Sequence, residues 1–108
     1  MPVNVCSLSG TISTHPEYHQ RDGVHPARLT FSLRFSARRR PEITGWIDCV
    51  AWSQTAERMA AASLSRGDVI AVSGELKWSS WRTKLGERRS RVGLVLDDAA
   101  RISKAAGA

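Results

Sequence analysis

The chain has 108 residues, enough for one domain with a core of its own and too few for two of ordinary size. Its 16 Lys and Arg residues against 10 Asp and Glu leave a formal charge of +6, which selects a polyanion or an anionic membrane surface as the partner class. No apolar run approaches the roughly 20 residues that cross a bilayer, and residues 1–14 lack the basic-then-apolar layout of a secretory signal, so a soluble cytoplasmic protein with no membrane partner is expected.

Residues 3–14 are β-compatible, with Leu8 and Ile12 in one phase and Gly10 marking a bend or bulge between them. His15-Pro16-Glu17 and Arg21-Asp22-Gly23 are turn signals that separate this first strand from a second at 28–36. There Leu29, Phe31, Leu33 and Phe35 share one face, and Arg28, Thr30, Ser32, Arg34 and Ser36 share the other, as a half-buried strand requires. A basic connection, Arg38-Arg39-Arg40-Pro41, leads to Gly45 and a third strand at 46–52. Over 53–64 the period changes: Ala56, Met59, Ala60, Ser63 and Leu64 fall at helical spacing, with Ser53 as N-cap and Gly67 as terminator. A fourth strand at 69–81, a turn at Lys84-Leu85-Gly86-Glu87 and a fifth strand at 89–96 follow. Residues 1–102 therefore read as the domain and 103–108 as a disordered tail.

Five strands with one helix between the third and fourth is the layout of an OB-fold, an all-β barrel that binds oligonucleotides or oligosaccharides. Other small barrels stay open on element order alone.

The four tryptophans can be sorted by strand phase. On the third strand Trp46, Asp48, Val50 and Trp52 point one way and Ile47, Cys49 and Ala51 the other. An aspartate is almost never fully buried without a partner, so the tryptophan face is the outer one. On the fourth strand Ile70, Val72, Gly74 and Leu76 take the core phase, while Trp81 joins Ser73, Glu75, Lys77 and Ser79 opposite. Trp78 falls in the core phase and reads as packing or interface.

Wet tryptophans on a sheet forfeit roughly 1.5 to 3 kcal/mol of burial each, so they mark a binding face. Around Trp46, Trp52 and Trp81 lie Arg28, Arg34, Arg38, Arg39, Arg40, Lys77, Arg82, Lys84, Arg88, Arg89 and Arg91. Rings interleaved with cations suit a single nucleic-acid strand, whose unpaired bases stack while its phosphates meet the charges. Cys6 and Cys49 read as reduced core residues. The spacing of His15, His19 and His25 fits no common zinc pattern, and neither a catalytic triad nor a phosphate-cradling glycine loop is present. No metal, no cofactor and no enzymatic activity are expected.

Leu8-Ser9-Gly10, His15-Pro16-Glu17, Trp46-Ile47-Asp48-Cys49-Val50-Ala51-Trp52, Arg66-Gly67-Asp68 and Gly74-Glu75-Leu76 resemble, in order and spacing, the bacterial single-stranded DNA-binding protein family. The resemblance extends over nearly all of residues 3–102. It implies an OB-fold that self-associates, usually as a homotetramer with a dimer as the alternative, and wraps single-stranded DNA without sequence preference at the nucleoid, in replication, repair and recombination. Trp46, Trp52 and Trp81 match the family's stacking positions, whereas Ala37 stands where a further aromatic is common. The family's long linker and acidic tail have no counterpart before Ala108, so recruitment of proteins through such a tail is not expected. The runner-up is a replication-restart factor similar to primosomal replication protein N, and an RNA-binding OB module shares the same physics.

Overall fold

The computed structural model describes residues 3–105. Its strands are β1 (Cys6–Ile12), β2 (Glu17–His19), β3 (Arg28–Ser36), β4 (Thr44–Trp52), β5 (Val69–Arg82) and β6 (Arg88–Ser103), with one helix, α1 (Ser53–Ala61), between β4 and β5. The sheet runs β1-β5-β6-β4-β3-β2, and a pairing of β1 with β3 through Thr11–Arg34 and Ile12–Leu33 closes five of the strands into a ring, with β2 on its flank. All contacts are antiparallel except β4 with β6, which is parallel. The expected all-β layout with a single helix in that position is what forms.

Inside the ring lies the core: Ile12, Leu29, Phe31, Leu33, Cys49, Ala51, Ile70, Val72, Leu94 and Leu96, with Ala27, Ala56 and Met59 where α1 packs against the ring. The alternation of β3 and β4 decides this, because each core residue there is separated from the next by one that faces out. Two glycines permit closure. At Gly10, where β1 passes from β5 to β3, a Cβ would collide with the backbone carbonyl oxygen of Arg34. At Gly74 it would collide with that of Val95, beside a bulge where the pairing jumps from Ser73–Asp98 to Gly74–Leu96.

Several boundaries differ from expectation for identifiable reasons. β2 forms where only a turn was read, through the pairs Glu17–Thr30, Tyr18–Leu29 and His19–Arg28. β6 continues past Leu96 to Ser103 through its pairing with β5, and the bulge at Asp97 inverts the phase of the strand, so the alternation up to Leu96 does not carry on beyond it. Ser103, expected in a disordered tail, is thus the last residue of β6, and the Ala105 N–H donates to Asp68 Oδ1 at 2.7 Å. Residues 106–108 of that expected tail lie outside the described residues.

α1 ends at Ala61, earlier than the expected Leu64, and Gly67 belongs to the turn beyond it. Ser63, expected within the helix, lies beyond it with φ of 54°, and the guanidinium of Arg101 donates to the carbonyls of Ala62 (2.8 Å) and Ser63 (3.0 Å), capping the helix from a strand. Ser53 is the first helical residue, not the cap; Trp52 holds that position without a side-chain hydrogen bond.

Candidate nucleic-acid interface

Register places the wet tryptophans. Across β3 and β4 the outward pairs are Arg28–Trp52, Thr30–Val50, Ser32–Asp48 and Arg34–Trp46. Asp48 and Val50 lie beside Gly93 and Val95 of β6, and Lys77, Ser79 and Trp81 of β5 lie beside Gly93, Arg91 and Arg89. Opposed residues in a sheet share a face, so four strands contribute to one outer surface. On it Trp46 is 61 % exposed, Trp52 41 % and Trp81 46 %. Trp52 lies six residue steps along β4 from Trp46, about 20 Å at the rise of a strand, so each presents a separate platform.

On the same face, lined by none of the tryptophans, lies a groove of about 570 Å³, floored by Val50, Gly93 and Val95 and edged by Lys77, Ser79 and Arg91 on one side. Its other edge is Thr14, His15 and Glu17, residues that sequence reasoning read only as turn. The signal that could have found them is the parity of Glu17 with Thr30 once β2 is recognised. Asp48 sits within the groove and pairs with Arg91 at 3.3 Å. Beneath it burial, then the nearby charge of Asp48 and Cys6, pushes the Cys49 thiol up to about 12, and its Sγ lies 3.8 Å from the Ile47 carbonyl oxygen. A thiol so placed stays protonated and is no nucleophile. Both cysteines are free, and no cluster of three or more His, Cys, Asp or Glu converges among the described residues. Flat rings, cations and a wet groove can together stack planar bases and neutralise anions.

A family model described as the single-strand binding protein family matches residues 3–102. The chain belongs to that family. Within it, the chain is 32% identical over 83 residues to single-stranded DNA-binding protein 1 of Nostoc sp., covering 75% of this chain and 66% of that protein. It is 33% identical over 104 residues to the single-stranded DNA-binding protein of Borreliella burgdorferi, covering 89% of this chain and 67% of the relative. It therefore spans about two thirds of the length of these relatives. Among solved structures, the mitochondrial single-stranded DNA binding protein of S. cerevisiae superposes with a TM-score of 0.76 at 15% identity, over 96% of this chain and 99% of that one. The small single-stranded DNA-binding protein of Streptomyces coelicolor does so with 0.75 at 23% identity, over 94% and 95%. At such identities these likenesses establish the fold, which is an OB-fold.

In this member of the single-strand binding family, the expected site residues divide into three sets. Trp46, Trp52, Trp81, Arg28, Arg34, Lys77, Arg89 and Arg91 share the outer face. Arg38, Arg39 and Arg40 are exposed in the β3–β4 loop, where Arg40 is paired to Glu42 at 2.7 Å. Lys84 stands in the β5–β6 turn, and Arg82 and Arg88 oppose each other on the reverse side of that hairpin, away from Trp81. Trp78, expected in packing or an interface, is 64 % exposed, because the part of the hairpin that carries it extends past the core.

Proposed function

We propose that this chain is a non-enzymatic module that binds single-stranded DNA without sequence preference. Bases stack on Trp46, Trp52 and Trp81, and phosphates meet Arg28, Arg34, Lys77, Arg89 and Arg91 on the same outer face, with Arg38, Arg39, Arg40 and Lys84 adding charge at its ends. The observation that carries this reading is the set of three wet tryptophans alternating with cations on one sheet face. Exposed rings of that size are unfavourable in water unless a ligand covers them. The names of the relatives support it: the proteins of Nostoc sp. and Borreliella burgdorferi are single-stranded DNA-binding proteins, and a Plasmodium falciparum structure with a TM-score of 0.76 at 21% identity is a complex with single-stranded DNA. Coating of exposed strands in replication, repair and recombination is the role such binding serves, by copies assembled as a homotetramer or dimer.

The test is a titration with oligo-dT at several salt concentrations. Binding is expected to weaken with salt with a slope of about −0.7 per phosphate neutralised. Salt-insensitive binding, or no binding at low salt, would contradict the proposal, and matched DNA and RNA oligomers of one sequence measure the preference between the two.

A further inference from the structure

The β5–β6 hairpin has a second face that the outer groove does not use. From Glu75 to Arg82 every residue of β5 is exposed, as is every residue of β6 from Arg88 to Val92, so both faces of this ribbon stand in water. An isolated two-stranded ribbon is marginally stable at best, and one that carries large apolar side chains on both faces calls for a ligand on both. The outer face holds Lys77, Ser79 and Trp81 opposite Gly93, Arg91 and Arg89. The reverse face holds Trp78 opposite Val92, Ser80 opposite Ser90 and Arg82 opposite Arg88. Trp78 is 64 % exposed, more than any other tryptophan of the chain, and Leu76 and Val92 beside it are 43 % and 47 % exposed.

The composition of this reverse face repeats that of the outer one: a wet ring, small hydroxyl residues and guanidinium groups, with no carboxylate among its paired positions. The nearest acid in the turn, Glu87, is engaged by Arg89 at 2.9 Å. The Arg82 guanidinium donates to the Gly86 carbonyl within the turn, at 3.3 Å, and forms no ion pair among the described residues. The way round the ribbon is open as well. β1 pairs with β5 as far as Gly74, and the Asn4 side chain extends that pairing by one step, donating to the Leu76 carbonyl at 2.7 Å and accepting from its N–H at 3.0 Å. Beyond Leu76 no described strand lies along the outer edge of β5.

We propose that the reverse face of the hairpin is a second subsite for the same single strand, in which a base stacks on Trp78 and phosphates meet Arg82 and Arg88. The strand leaves the outer groove near Trp81, turns round the free edge of β5 and continues on the other side, so the ribbon is gripped from both faces. This rests on the reading of the outer face as the primary site. Two arginines without a carboxylate favour a polyanion over a second copy of the chain, since the same face of another copy offers no acid to answer them.

The test uses the full chain and its Trp78→Ala, Trp78→Phe and Trp81→Ala variants, titrated with oligo-dT of about 6 and about 20 nucleotides, which bracket much of the range occupied by one OB-fold. Trp78→Ala is expected to weaken binding of the longer strand at least about fivefold, the lower end of what one stacked base supplies, and to leave the shorter one unchanged. Trp78→Phe keeps a stacking ring and should stay within about twofold of the parent. Trp81→Ala should weaken both lengths. If Trp81→Ala weakens both and Trp78→Ala neither, the second subsite is wrong while the primary site stands. If Trp81→Ala has no effect on either length, the primary reading has failed. A fall in solution mass on Trp78→Ala without DNA, at unchanged DNA affinity, would also overturn the subsite and assign the face to contact between copies.

Discussion

Each platform tryptophan on β4 has an arginine directly across from it on β3: Trp46 opposite Arg34 and Trp52 opposite Arg28. One base and one phosphate can thus be held by a single cross-strand pair. Trp46→Ala and Trp81→Ala are each expected to weaken oligo-dT binding by about 1 to 3 kcal/mol, with the circular dichroism spectrum and Tm nearly unchanged because the rings contribute little to the core. Loss of the fold in either variant would return that ring to packing. Asp48 is the negative charge inside the groove, and it occupies Arg91. Asp48→Asn removes a repulsion and frees that guanidinium, so affinity at low salt should rise by about two- to fivefold, in line with the worth of an exposed ion pair. Cys49, with its thiol pushed up to about 12 by burial, should resist a thiol reagent at pH 8 in the native chain and react in denaturant, whereas the partly exposed Cys6 should react in both.

At the scale of the element, closure of the ring depends on backbone approach at Gly10 and Gly74, and the turn before β5 is tied to the end of β6 by the carboxylate of Asp68. Gly10→Ala and Gly74→Ala force a Cβ against a carbonyl oxygen and should each lower stability by about 1 to 3 kcal/mol in a denaturant titration. Asp68 accepts from the Ser65 N–H at 2.9 Å and the Ala105 N–H at 2.7 Å, and faces Arg101 at 3.3 Å. These backbone hydrogen bonds, and then the arginine, hold its carboxyl below the usual carboxylate range. A carboxyl depressed in the folded chain stabilises it in full above its unfolded value, near pH 4, and that contribution fades as pH falls further. Asp68→Asn should therefore lower Tm at pH 7 and flatten the loss of Tm below pH 4. These elements also mark where reading the sequence succeeds and fails. The tryptophan face of β4 was legible because Asp48 breaks the tie between its two sides. Trp78 was not, since alternation says which side a residue points to, and whether anything covers that side depends on how far the hairpin outruns the core. The length of β6 was hidden by the bulge at Asp97, and β2 by its three residues, too few to show a period. The helix terminus escaped because its cap, Arg101, is supplied by a strand 39 residues further on.

For the molecule as a whole, 11 of the 16 basic residues lie on the outer sheet, the β3–β4 loop and the β5–β6 hairpin, the elements that carry or flank the tryptophans. A uniform surface charge would attract duplex and single strand alike through their phosphates. Stacking platforms discriminate, because only an unpaired base offers a free face. The mass of the protein in solution, with and without oligo-dT, separates monomer, dimer and homotetramer, and an assembly is the expected result. The central claim, that unpaired bases lie on wet tryptophans, is tested most directly by intrinsic tryptophan fluorescence titrated with oligo-dT and with a duplex of equal length at one salt concentration. Strong, saturable quenching by the single strand and little by the duplex is predicted. Fluorescence unchanged by the single strand, or quenched equally by the duplex, would contradict it.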